Sequence, residues 1–126
     1  MALITTQGST VENTPATIAD NNSLSAAVEL AGRGISAIII PSTWVTATVI
    51  TFQVSLDGST YYDLYHNVSG TLTEYSVPVA ASRYIALEQT KFFGVKFIKV
   101  RSGTQGSPVN QTADAGVELP LIVFAI

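Results

Sequence analysis

An all-β fold, an antiparallel β-sandwich of about eight strands in jelly-roll or immunoglobulin-like form, is what this sequence predicts. Short apolar segments of two-residue period recur along the chain. Turn signals built from Gly, Pro, Asn and Asp separate them every ten or so residues, and no stretch carries a sustained helical period. The clearest unit is 50–65. There Ile50, Phe52 and Val54 alternate with Thr51, Gln53 and Ser55, Asp57-Gly58 reverses the chain, and the aromatic-rich 61–65 returns as a partner strand.

The remaining elements follow in order. Residues 1–22, rich in Thr, Asn and Ser, lack a period and read as an extended N-terminal arm, either frayed or laid across a neighbour. The single domain then runs over 23–126. Alternation predicts a first strand over 24–30, turned by Gly32-Arg33-Gly34. The continuous apolar run 35–40 predicts a strand buried on both faces and ended by Pro41. Strands follow at 46–55, 61–65, 71–77 and 82–87, and residues 88–93 have the makings of one helical turn. The pattern slips in 94–101, where Val95 and Phe97 share one face and Ile98 and Val100 the other, so a β-bulge is expected near Phe97 and Ile98. Residues 102–114 form a polar loop. The last strand, 117–126, is apolar on both faces, with Pro120 at one ladder position.

Composition narrows the function. Charged residues are 12% of the 126-residue chain, about half the roughly 25% of an ordinary soluble domain. Mean hydropathy is +0.36. A hydroxyl-coated monomer and a surface covered by other subunits both fit; the covered surface is favoured, because exposed apolar patches mark contacts. A net charge of −3 argues against a nucleic-acid partner, and Lys96, Lys99 and Arg101 read as one solvated strand face. Without cysteine there is no disulfide or thiolate chemistry. No signal peptide is visible at the start of the sequence, and the longest apolar run, Ile38-Ile39-Ile40, is too short for a membrane.

Catalytic signals are thin. His66 is the only histidine, with Asp63 three positions earlier, and reads as a structural loop residue. Asp57 with Asp63 resembles the paired carboxylates of sugar chemistry, yet the turn already explains Asp57, and Asp63 falls on a solvent face. No cofactor and no metal is expected. Tyr61, Tyr62, Tyr65 and Trp44 raise a carbohydrate platform as an alternative, to be recognised by an exposed, coplanar Tyr62–Trp44 pair; Tyr61 and Tyr65 can instead point inward. A last strand with two apolar faces is safe only if central or paired with another chain, which places Phe124 and Ile126 at or beside a subunit interface.

Two segments, ISAIIIPSTWVTATVITFQVSLDGSTYYDLY and VKFIKVRSGTQGSPVNQ, resemble a family of small proteins from tailed-bacteriophage head modules. In that family an apolar strand passes through a Pro-x-x-Trp loop into a TFQVS-x-DG hairpin, and a later strand ends in V-R-S-G-T. The likeness spans most of 23–112. It implies a virion component on the capsid exterior: a capsid decoration (cement) protein, a homo-oligomer of three copies, bound to the major capsid protein, with no catalytic residue to carry over. The candidate contacts are Ser42, Thr43 and Trp44, the arm residue Val11, and Gln105 and Asn110 of the polar loop, with Phe124 and Ile126 at the subunit interface. Neither nucleic acid nor membrane is an expected partner. A glycan-binding module of a tail or fibre, and a tail or connector structural protein, are the alternatives.

Overall fold

The computed structural model describes residues 11–125, and within them the chain is all-β, with every strand pair antiparallel. One four-stranded sheet has the order β1-β11-β3-β9, formed by Val11–Ile18, Val117–Ala125, Arg33–Ile40 and Arg83–Ala86. The second has the order β2-β10-β4-β5, formed by Val28–Glu29, Phe97–Ser102, Val49–Ser55 and Tyr62–Asp63, with β8 (Val77–Pro78) also on β4. A separate hairpin joins β6 (Tyr65–Val68) to β7 (Thr71–Glu74). Among the described residues three of the eleven strands are two residues long, so they divide the chain more finely than the eight expected segments.

Apolar side chains of both larger sheets form one core. Ile18, Ile38, Ile40, Leu119 and Leu121 come from the first, and Val28, Ile50, Phe52, Ile98 and Val100 from the second. The short 3₁₀ turn Gln89–Phe92 adds Phe92, whose ring meets Phe52 edge-on at 5.1 Å. The expected hairpin forms, with Gln53 opposite Asp63 and Val54 opposite Tyr62. Its turn is held by the Asp57 carboxylate, whose Oδ1 accepts the N–H groups of Ser59 and Thr60 at 2.8 and 2.9 Å. These bonds, Thr60 first and then Ser59 and the Ser55 hydroxyl, hold the Asp57 carboxyl below its ordinary value of 3.8.

Several expectations need correction. Residues 11–18 belong to no arm lying across a neighbour: they form β1, paired with β11 from Val11–Phe124 to Ile18–Val117, with Ala16 and Ile18 fully buried. Only two inward positions of this strand carry apolar groups, which is too few for a visible period; of the rest of the expected arm, Asn21 and Asn22 bond the backbone of Gln111, and residues 1–10 lie outside the described residues. The last strand is central, flanked by β1 and β3. Pro120 has no N–H to give, and the β11–β3 ladder begins one residue later at Leu121–Ile38. No bulge occurs at Phe97 and Ile98, since β10 keeps continuous register with β4. Val95 precedes the strand, which removes the apparent slip. The irregularity falls in β3 instead, where Ile35 and Ala37 pair successive residues of β11 and Ser36 is extra.

Candidate functional site

A buried amide organises one end of the molecule. Gln111 is fully buried, and its Oε1 accepts the Val45 N–H at 2.8 Å while its Nε2 donates to Val45 O and to Ser102 Oγ, each at 2.9 Å. Its backbone N–H donates to Asn22 O at 2.9 Å and its carbonyl accepts from Asn21 N–H at 2.8 Å. One residue thereby fastens three connections: the β1–β2 link, the loop after β3, and the loop after β10. Inside such a site an amide with every group paired rigidifies its surroundings, because each lost partner would leave a desolvated polar atom.

The sequence-selected residues divide among four places. Ser42 and Thr43 are exposed at the turn closed by Trp44 N–H donating to Pro41 O, and Asn110 is exposed beside Gln111, so these three share the fastened loop end. Trp44 does not join them. It is buried in the core, with its indole N–H donating to Ala47 O at 2.8 Å, which corrects its assignment as a contact. The exposed Tyr62–Trp44 pair required for a glycan platform is therefore absent. Gln105 lies elsewhere, its side-chain oxygen accepting from the Tyr65 hydroxyl at 2.9 Å and its N–H donating to Glu74. Val11 and Phe124 sit opposite one another at the far end of β1 and β11, about 24 Å from Ile18 at 3.4 Å per residue. Ile126 lies outside the described residues.

The basic strand also differs from expectation. Arg101 is buried rather than solvated, and its guanidinium reaches Asp63 at 2.6 Å and Glu74 at 3.2 Å. Asp63 is accordingly a partly buried ion-pair partner and not a free carboxylate on a solvent face. Lys99 holds its ammonium 4.3 Å over the Tyr61 ring. Tyr65 is exposed, so of the strand tyrosines it does not turn inward. His66 meets the Tyr75 ring edge-on at 5.2 Å, a packing contact. Burial pushes the Tyr75 phenol up from its ordinary value.

The two larger sheets present unlike outer faces. Residues opposite one another in a ladder share a face. On the second sheet that rule sets Gln53, Lys99 and Asp63 together on the side away from the core, with Arg101 and Thr51 on the next rung of that side, where both are buried. On the first sheet it sets Val11 with Phe124 and Gly34, Ile122 with Ala37 and Ala86, and Ile39 with Tyr84. An open cleft of about 430 Å³ lies at the far end, between residues 29–33 and 94–97, and none of the candidate contacts lines it.

Sequence reasoning missed Gln111 and the pairing of Arg101. A glutamine in a Ser/Asn/Gly-rich loop carries no local sign of burial, and only the distant Asp63 and Glu74 distinguish Arg101 from its lysine neighbours. No family model, no curated protein and no solved structure matches this chain.

Proposed function

We propose that the protein is a non-enzymatic structural component of a bacteriophage virion, a capsid decoration protein that binds the major capsid protein lattice as a homo-oligomer. The sequence resemblance supplies the family, the site on the capsid exterior and an expected number of three copies. In this reading the two sheets closed on one core are a sandwich of jelly-roll or immunoglobulin-like type, which offers loops at its ends to a repeated surface.

One observation carries the reading: the loop end fastened by Gln111. It presents uncharged hydroxyl and amide groups at Ser42, Thr43 and Asn110 on a backbone already ordered before any contact. Such an end binds with little further loss of conformational entropy. Weak contacts of this kind become strong when a multi-copy particle engages a lattice at many points. Purified protein mixed with undecorated capsid particles is expected to attach saturably at a fixed copy number. The triple variant Ser42→Asp, Thr43→Asp, Asn110→Asp is expected to keep its fold and mass but lose attachment by more than tenfold. Absence of attachment by the wild-type protein overturns the proposal.

A further inference from the structure

The outer face of the four-stranded sheet is uncharged over its three apolar rungs. Val11 faces Phe124, Ile122 lies between Ala37 and the uncharged Asn13 with Ala86 beyond, and Ile39 faces Tyr84. Tyr84 and Val11 are 65% and 54% exposed, while Ile39, Ile122 and Phe124 are half-buried. Charge returns at the loop end, where Glu118 stands beside Thr17. The face is also low at its first rung. The Phe124 ring lies down on Gly34, so that a Cβ there would stand 2.5 Å from its Cζ.

We infer that this face packs against the same face of a second copy of the chain. The inference rests on the homo-oligomer part of the proposed function, replaces the three copies that the resemblance implies with two, and is independent of capsid binding. Three arguments choose a second copy as the occupant. The first is charge. The chain carries a net −3, so most approaches between copies are repulsive, but this face brings no charge to the contact. A partner offering ionised groups would leave them unpaired against Ile122 and Phe124. The second argument is contrast: on the other sheet Arg101 is paired with Asp63 and Glu74 and Lys99 lies over Tyr61, so that side is partnered within the chain and the uncharged side is the one left to be covered.

The third argument is size. Four strands about 4.8 Å apart on two of the two-residue rungs, and three on the rung of Val11, make a patch of roughly 350–400 Å². That is about half of the roughly 800 Å² per partner in a standard contact, and so suits the apolar centre of an interface with a polar rim. Growth by edge pairing is opposed on the β1 side, where Pro15 stands in the edge strand opposite Pro120. A self-complementary patch closes about a two-fold axis, and stops at two copies.

Because the chain has no native cysteine, a single introduced thiol reports on its own copy alone. Ile122→Cys and Ile39→Cys, at the middle of the face, are expected to form disulfide-linked dimers under mild oxidation, whereas Leu72→Cys on the β6–β7 hairpin is expected not to. Analytical ultracentrifugation is expected to give two chains for the wild type. Ile122→Lys and Tyr84→Lys should raise the dissociation constant at least tenfold, with an unchanged circular-dichroism spectrum and melting temperature showing that the fold is intact. A wild-type single chain, a three-chain particle, or thiols at 39 and 122 that never cross-link overturns the face pairing. Each of those results leaves capsid attachment to be measured separately, so the two proposals fail by different observations.

Discussion

Gln111 does more for this protein than any exposed residue. Its side chain closes three hydrogen bonds in a place that water does not reach, and its backbone closes two more. Gln111→Ala leaves the Val45 N–H and carbonyl without their partners and opens a void. A loss of about 2–4 kcal/mol is expected, read as a lowered urea midpoint at constant slope. Asp57 works differently, because it is exposed and acts through its charge. Its folded value lies below 3.8, so the folded chain binds fewer protons than the unfolded one near that pH. The turn's contribution is thus present above about pH 4 and is lost as pH falls through the lowered folded value. Asp57→Asn is expected to flatten that part of the acid limb in thermal melts recorded from pH 6 to pH 2, and an unchanged limb would discount the turn carboxylate.

At the scale of elements, the β6–β7 hairpin depends on a charge network rather than on the core. Among the described residues no buried side-chain nitrogen or oxygen lacks a partner, and Arg101 satisfies Asp63 and Glu74 together. Removing one member of such a set costs more than the set contributes, since the remaining charges stay desolvated. Arg101→Leu is expected to destabilise by about 3–5 kcal/mol, and faster hydrogen exchange should appear first in 65–74. Local pattern made some of this architecture readable beforehand. The alternation of 50–55, the Asp57-Gly58 turn and the run 35–40 each encode their strand in adjacent residues. Strand β1 could not be read so, because Thr14 and Pro15 interrupt its period and its burial comes from β11, a hundred residues away. The same holds for the site: exposure of Ser42, Thr43 and Asn110 follows from local polarity, whereas burial of Trp44, Arg101 and Gln111 is decided by partners remote in sequence.

For the whole molecule, the low charge content now has a location. One ion-pair network, Arg101 with Asp63 and Glu74, lies beside the β2-β10-β4-β5 sheet, while the β1-β11-β3-β9 sheet turns three uncharged rungs outward before Glu118. A chain arranged in this way is sided, and a sided object is suited to assembly. The position of Gln111 below the exposed turns has a practical corollary. In the proposed attachment the turn at Ser42 and Thr43 faces the lattice, so a foreign peptide belongs elsewhere, between the exposed Ser69 and Gly70 at the tip of the β6–β7 hairpin. A particle coated with such chimeras would show the passenger sequence at every lattice point, which makes that hairpin tip a natural place for engineered display.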